Sequence, residues 1–407
     1  MRLLLLLPAA GYANQDFQHA ARKLGVDVII CADYCHRLAP GWGLPSLMSV
    51  PFDQPASSVP RILAALPQPV HAVLASDDHG VELAAHLREA LGLPGNTVDA
   101  VMCLRDKLRF RQLQQAQGLL HPAFCAVQHH DSGETAAAQL GFPLVVKPRH
   151  LSASRGVIRA NNPEEFSRAL TQVRRIQARH LRDAESLGVL IESFIPGVEV
   201  ALEGVLKNGE LQVLALFDKP DPLDGPTFEE TIYVTPSRLP RSTQTAIADA
   251  VSRACAAAGV TEGAIHAEAR INDTGVWLLE IAPRAIGGLC GRTLAVTLGI
   301  SSVEIVLRHA LGLPLNIHPP HVAAGVMMIP IPAPGLLQAV DGVLAARATP
   351  HISGIEITAA VGQIIAPPPE GASYLGFIFS RAADPEAAEM ALRVAHALLT
   401  IRIQPLV

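Results

Sequence analysis

The sequence has no CxxC pair, no basic surplus and no apolar run long enough to cross a membrane, and each absence removes a class of protein. Its six cysteines, Cys31, Cys35, Cys103, Cys125, Cys255 and Cys290, are scattered. Their spacing fits neither a disulfide framework nor a zinc site, so reduced and mostly buried thiols in a cytoplasmic protein are expected. A formal net charge of −5 over 407 residues supplies no basic face of the kind nucleic acid requires. No segment offers the roughly 20 uninterrupted apolar residues of a membrane helix. The N-terminal stretch has only part of a signal peptide's pattern: its apolar run, Leu3–Leu7, stops at Pro8, at or below the short end for a secretory core. No internal repeat is present, and low complexity is confined to proline clusters such as Pro367–Pro369.

What is present is enough apolar residue, 49%, to build a large core in roughly two to four packed units. Residues 1 to about 98 alternate apolar strands (Leu3–Leu7, Val26–Cys31, Ala72–Ala75) with helical patterns near Gln15–Leu24, Ser58–Leu66 and Gly80–Leu91. That alternation predicts a small open parallel sheet, with Ser76-Asp77-Asp78 at the carboxyl edge where such sheets bind ligands. The turn cluster Leu91–Gly95 marks a boundary. A helix is predicted from about Val98 to Gln117. An α+β stretch follows, with strands Leu144–Lys147 and Val189–Glu192 and an arginine-rich helical region, 163–186, between them. Two strands turn at Asn208-Gly209, and Asp218–Leu239 reads as a strand-poor loop. Then come a helix, Ser242–Ala258, a hairpin, and a proline-marked junction near Pro319-Pro320. Short strands and a closing helix, Pro385–Leu399, finish the chain.

The hairpin carries the sharpest chemistry. With Asp273-Thr274-Gly275 as a three-residue loop and Gly275 in the left-handed position, Asn272 pairs with Val276, Arg270 with Leu278 and Glu268 with Glu280. One face then holds His266, Glu268, Arg270 and Glu280; the other holds Ala267, Ala269, Ile271, Leu279 and Ile281. Like charges directly opposite repel. A divalent cation resolves that, and magnesium takes carboxylate and phosphate oxygens at about 2.1 Å.

Four further elements flank this pair. Lys147 ends the apolar strand of Phe142-Pro-Leu-Val-Val-Lys147, where a cation can hold phosphate oxygens. The loop Ser152–Val157 contains Ser154 and Gly156, small residues whose backbone N–H groups can cradle an anion. In Leu190–Glu199, a strand ending at Glu192 runs into a Pro-Gly turn. Backbone near Ser193, Phe194 and Ile195 can read an adenine edge, and Glu199 can accept ribose hydroxyls. In Glu280–Gly288, Arg284 can stabilise charge on a transferring phosphoryl group, and Gly287 and Gly288 open toward a helix start that suits an anion. The histidines His129, His130, His318 and His321 lack a metal partner set.

Taken in order, these elements resemble the ATP-grasp superfamily over about residues 100 to 312. The resemblance implies an α/β and α+β architecture of three parts: a Rossmann-like domain (1–98), an ATP-grasp core (99–317, with a small lid subdomain at about 120–195) and a C-terminal cap (318–407). It implies that Lys107, in Arg105–Arg111, and Lys147 hold ATP phosphates. Glu192, Ser193, Ile195 and Glu199 would then contact adenosine. Glu268 and Glu280 would bind Mg2+, with Mn2+ as the alternative, and Arg284 would act on phosphate. The implied reaction joins a small carboxylic acid to an amine through an acyl phosphate, and closure of the 152–157 loop would exclude water from it. One departure stands out: many members carry asparagine two residues after the second glutamate, where this chain has Ala282. Either water fills that position or a second metal is held less fully.

Two segments resemble the L-amino-acid ligase branch: the loop Phe217–Thr231, and the tail with Val322–Gly325, Ile329–Gly335 and Tyr374–Phe379. Within that resemblance Glu230 is a candidate for a substrate ammonium, and His266 for orienting a glutamate or phosphate. The alternatives are a purine-pathway or biotin-carboxylase-like enzyme and a non-catalytic ATP-binding regulator. A dinucleotide-dependent dehydrogenase is disfavoured, because Pro8–Gly11 lacks G-x-G-x-x-G. The sequence is compatible with a homodimer and leaves the acid and amine open.

Overall fold

A computed structural model describes residues 1–9, 11–33, 48–182 and 184–406. Cys35 lies outside the described residues, as do parts of the 8–11 and 163–186 segments. The leucine run forms the Arg2–Leu7 strand, and each of Leu3 to Leu7 is completely buried. Burial on both faces is what a continuous apolar run requires of a parallel strand. The strand sits inside a four-stranded parallel sheet, ordered Met48–Ser49, Asp27–Ala32, Arg2–Leu7, Ala72–Ala75. One face packs on Ile62, Leu83 and Leu87. The other packs on Val303, Leu307 and Leu311, so a helix from far along the chain, Ser302–Ala310, completes this N-terminal layer.

The segment read as one helix from Val98 to Gln117 is two, Val98–Arg105 and Lys107–Ala116. The break is at Asp106, which is extended (φ −86°, ψ 107°) and whose carboxylate accepts from the Leu108 N–H at 2.9 Å. Asp106 therefore caps the second helix, and the same carboxylate pairs with Arg149 and His150.

Arg149 follows a second sheet, ordered Phe124–Val127, Val189–Ser193, Leu144–Pro148, Ile158–Ala160 and antiparallel throughout. The Pro163–His180 helix covers it. Asn162 caps that helix by accepting from Glu165 N–H, Pro163 occupies the first turn, and Phe166, Ala169, Leu170, Val173 and Ile176 form the buried stripe. Such a stripe is the face an amphipathic helix turns to its core.

The largest sheet has eight antiparallel strands. Its order is Gly275–Ala282, Gly263–Asn272, Val198–Lys207, Glu210–Lys219, Ile232–Thr235, Ala323–Ile329, Gly376–Ala382, Ile352–Ile357. Two expectations change here. The Asp218–Leu239 loop contains the Ile232–Thr235 strand, which pairs with Ala323–Ile329. Through that strand the sheet runs unbroken across the expected 317/318 boundary. The chain also ends in a further strand, Thr400–Gln404, in a three-stranded sheet with Gly335–Asp341 and Ile364–Ile365.

Among the described residues no single helix is long and apolar enough to cross a membrane; Arg292–Leu298 and Ser302–Ala310 reach that composition only together, bent by 86°. Of the described cysteines, Cys31, Cys255 and Cys290 are buried, and burial pushes the Cys31 and Cys255 thiols up to about 12.

Asp106 joins a cap to a near-buried ion pair. Asp106→Ala is expected to destabilise the protein by about 3 kcal/mol. Asp106→Asn, which keeps the cap acceptor, should lose about 1 kcal/mol less. Urea unfolding midpoints of the two variants give the comparison.

Candidate active site

The hairpin brings Glu268 opposite Glu280, as expected, but by a different route. Asn272 pairs with Gly275, Ile271 with Val276 and Arg270 with Trp277, so the loop has only the two residues Asp273 and Thr274. Gly275 (φ +141°) is itself a strand residue. The extra residue, expected in the turn at Gly275, lies in the strand: Leu279, expected on the core face, forms a bulge opposite the step from Glu268 to Ala269 on the facing strand. A bulge puts two residues opposite one and shifts the alternation. As a result Leu278, not Leu279, packs in the core with Ala267, Ala269 and Ile281.

The bulge is captured from behind. Arg111 donates from Nη2 to the Leu279 carbonyl at 2.8 Å, and Gln114 from Nε2 to the Leu278 carbonyl at 3.1 Å. Arg111 is completely buried, and its Nε lies 2.8 Å from Glu192 Oε1. Glu192 Oε2 lies 2.7 Å from Lys147 Nζ. Glu192, expected at adenine, is thus a buried counter-ion that fixes Lys147. The sequence reading missed Arg111. Its signal was spacing: Lys107, Phe110, Arg111 and Gln114 share one buried helix face. Burial, with Arg111 competing for the same carboxylate, pulls Lys147 down to about 8 despite Glu192.

Lys107 bridges the loop at Leu151 and the hairpin. Its Nζ donates to the Leu151 carbonyl at 2.8 Å and lies 3.2 Å from Glu280. Glu268 faces other cations: Lys219 at 3.2 Å and His266 Nε2 at 3.3 Å. The two glutamates are therefore opposite in register while their carboxylates serve different partners. Lys219, a second residue missed in the sequence, gathers three acids: Glu230 at 2.7 Å, Glu199 at 2.9 Å and Glu268. Like Lys147, it ends an apolar strand, Glu210–Lys219, and that signal was available. Oxygens of Glu199, Glu230 and Glu268 lie within 4.8 Å of one another, close enough to share one cation. Glu199, expected at a ribose, is engaged by Lys219 and by Arg270 at 2.8 Å.

Burial would push Glu268 up, but Lys219 and then His266 outweigh it and hold the carboxyl at about 2. Glu230 goes the other way: burial raises it, and the Glu268 charge adds to the rise against Lys219. His266, expected near substrate, is buried between Glu203 Oε1 (2.5 Å) and Glu268. Burial opposes its charge, yet Glu203 and Glu268 raise it to about 9. Glu203 Oε2 also accepts from the Ile286 N–H at 2.9 Å, which anchors the loop after the hairpin.

That loop carries Arg284, whose Nη2 lies 2.7 Å from Asp78. Burial works against the Asp78 charge, but Arg284, with Arg105 and Lys107 behind it, keeps the carboxyl at about 2. The acidic edge of the parallel sheet and the loop thereby meet. Gly287 and Gly288 do not open a helix, because the next helix starts at Arg292 and spans only seven residues. Gly288 has φ +61°, and a Cβ there would lie 3.0 Å from the Phe377 ring.

Two more expectations are narrowed. The Ser193 N–H donates to Ala123 O (2.8 Å) and the Phe194 N–H to Pro143 O (3.0 Å). Of the three, the Ile195 N–H alone has no partner among the described residues. The Phe194 ring lies under Arg159 (4.1 Å) and Arg270 (5.0 Å) and stacks on Phe228. In the lid loop, Ala153 and Ser154 have positive φ, but the Gly156 N–H donates to Pro369 O at 2.9 Å. Gly156 is thus tied to the C-terminal part rather than free for an anion, and Ser154 borders a small enclosed space with Glu229, Glu230 and Tyr374.

Comparison with known proteins matches residues 140–293 to the ATP-grasp domain and residues 327–404 to the L-amino acid ligase C-terminal domain 2. An L-amino acid ligase from Bacillus licheniformis superposes with a TM-score of 0.84 at 26% identity, covering 99% of each chain. A D-alanine–D-alanine ligase of Ectopseudomonas mendocina is 30% identical over 201 residues, 48% of this chain and 61% of that enzyme. An alanine–anticapsin ligase of Bacillus amyloliquefaciens is 25% identical over 255 residues, 58% of this chain and 53% of its own. The match thus spans less than two thirds of each of these curated relatives.

Lys219→Met leaves three half-buried glutamates without their shared cation. A loss of about 3–5 kcal/mol is expected at pH 8. The loss should shrink toward pH 5, because carboxyls raised above their unfolded values regain stability as they take up protons. Thermal unfolding at the two pH values checks this.

Proposed function

The chain belongs to the ATP-grasp superfamily, and from that premise we propose an ATP-dependent carboxylate–amine ligase that joins small molecules, amino acids in particular. The observation that carries the proposal is the placement of Glu280 opposite Glu268 and beside Lys107, with the hairpin tied through Arg111 and Glu192 to Lys147. The named activities of the D-alanine–D-alanine ligase and the L-amino acid ligase are of the same type.

In this reading residues 1–98, 99–317 and 318–407 are the three domains, with 120–195 as the lid. Lys107 and Lys147 neutralise ATP phosphates. The Phe194 ring and the Ile195 N–H receive the base, and Glu199 turns to the ribose. Glu268 and Glu280 would hold Mg2+ (or Mn2+), which supplies charge neutralisation for the phosphates. The donor set fits: two facing carboxylates already draw cations, and Glu280 keeps a partly open side chain. An oxygen of the acid forms a bond to the γ-phosphorus while the bond to ADP breaks, giving an acyl phosphate. The amine nitrogen then bonds to the acyl carbon and phosphate leaves. Arg284 steadies charge on the transferring group. Glu230 takes the substrate ammonium, and the 152–157 loop excludes water from the acyl phosphate. Such an enzyme suits the cytoplasm, where ATP is made, and needs neither nucleic acid nor membrane.

The first test is phosphate release by the purified protein with ATP, Mg2+ and pooled amino acids, with mass spectrometry of the products. Release that depends on an acid together with an amine is expected; ATP binding without turnover on any pool would sink the proposal. Glu280→Gln should lower turnover by at least ~100-fold with little change in unfolding midpoint. A third expectation concerns pH. Since Lys147 loses its proton at about 8, the ATP dissociation constant should be flat below that value. It should rise by up to ~10-fold per pH unit above it, and Lys147→Arg should flatten the profile.

A further inference from the structure

A cleft with a volume of about 170 Å³ lies between the parallel sheet and the start of the hairpin. Six consecutive residues, His71 to Ser76, line it. Side chains alternate between faces along a strand, so an unbroken lining means that the strand's hydrogen-bonding edge borders the cleft. Among the described residues Ala72–Ala75 is the terminal strand of its sheet; Arg88 holds the Val73 carbonyl, and the rest of that edge offers backbone donors and acceptors to an extended chain.

The cleft reaches Arg284, Ile286 and Gly288, the loop that the ligase reading places at the reacting phosphate. Along the strand stands Arg88, which also lines the cleft. Its Nη1 donates to the Val73 carbonyl at 3.1 Å, and its Nε is enclosed without an acceptor. Among the described residues no carboxylate comes within ion-pair distance of it. The other two arginines of the cleft are paired, Arg284 with Asp78 at 2.7 Å and Arg292 with Asp16 at 2.9 Å. Burial outweighs the attraction of Glu89, which makes no ion pair with it, and lowers the Arg88 guanidinium to about 10; a bound anion would relieve that cost.

Arg284 pairs with Asp78, two residues past Ser76, and Arg88 holds the carbonyl of Val73, three residues before Ser76, so Arg88 stands roughly 10 Å along the strand from the Ser76 end at ~3.3 Å per residue. A single α-amino acid carries its amine and carboxylate on one carbon and cannot span that length. An extended chain of two or three residues can, at ~3.5 Å each. Resting on the ligase reading, we propose that the amine substrate is a short peptide. It lies along the free edge of Ala72–Ala75, with its carboxylate on Arg88 and its amino group toward the Arg284 loop. The chemistry is that of the ligase: nitrogen bonds to the acyl carbon, the acyl–oxygen bond to phosphate breaks, and the ammonium gives up two protons, one of them kept by the departing phosphate.

Trapping the acyl phosphate with hydroxylamine, in the presence of ATP, Mg2+ and each proteinogenic amino acid as donor, reports the ligase reading alone. With a donor that yields hydroxamate, KM is measured for alanine, dialanine, trialanine and their C-terminal amides, in the wild type, Arg88→Lys and Arg88→Ala. The peptide acids should have the lowest KM, rising at least ~10-fold in Arg88→Ala. The amides should have a high KM that Arg88→Ala leaves unchanged, and hydroxamate formation should be unaffected. Equal KM for peptide acid and amide in the wild type would overturn the proposal, as would a peptide KM indifferent to Arg88→Ala. The first of these needs no variant to fold. If no donor gives hydroxamate, the ligase reading fails. Calorimetric binding of trialanine against its amide, to wild type and Arg88→Lys, then still decides the Arg88 site.

Discussion

The Arg111 guanidinium meets the Glu192 carboxylate on one side and the carbonyls of Leu278 and Leu279 on the other. It belongs to the helix after Asp106, Glu192 to the lid sheet, and the carbonyls to the hairpin. Three elements distant in the chain are therefore fixed at one charged point with no solvent contact. Lys147 depends on Glu192 for its position, and the bulge that sets Glu280 opposite Glu268 depends on Arg111 and Gln114 for its carbonyl partners. A buried charge left unpaired costs several kcal/mol, so Arg111 and Glu192 hold each other in place.

Around that point acids and bases alternate closely. Glu203, His266, Glu268, Lys219 and Glu230 form a continuous chain, with Arg270 and Glu199 attached. Each carboxylate has at least one cation within reach: at Glu268 Lys219 and His266 outweigh burial and keep the group charged, whereas at Glu230 burial and the Glu268 charge prevail over Lys219 and raise it. The same chain reaches outward through Glu203 to the Ile286 N–H, and through Arg284 to Asp78 on the parallel sheet. The Glu268 side of the hairpin is thus connected by hydrogen bonds to the loop that borders the cleft along Ala72–Ala75.

The C-terminal part is more than a cover. Its strands continue the eight-stranded sheet through Ile232–Thr235, and Pro369 holds the lid loop through the Gly156 N–H. Gln172 of the lid helix adds a bond to Glu370 at 2.7 Å. The four-stranded antiparallel sheet and the loop after Leu144–Pro148 are therefore held from two sides, by charge at Glu192 and by backbone at Pro369.

What the sequence determined by itself was whatever local pattern controls. The leucine run had to be a doubly buried strand. The Asn272–Gly275 turn had to reverse the chain, and Lys147 had to end an apolar strand at the edge of a site. Those constraints identified the fold and most of the charged residues. The turn was assigned one residue too many because a three-residue loop and a two-residue loop with a bulge bring the same two glutamates together; only Arg111 and Gln114, more than 160 positions away, select the second. Tertiary structure also decided the partners. Glu192 and Glu199 look alike as acids beside a Pro-Gly turn, yet one neutralises Lys147 and the other Lys219. A carboxylate's role follows from which cation burial places beside it, and that is a property of distant contacts rather than of spacing along the chain.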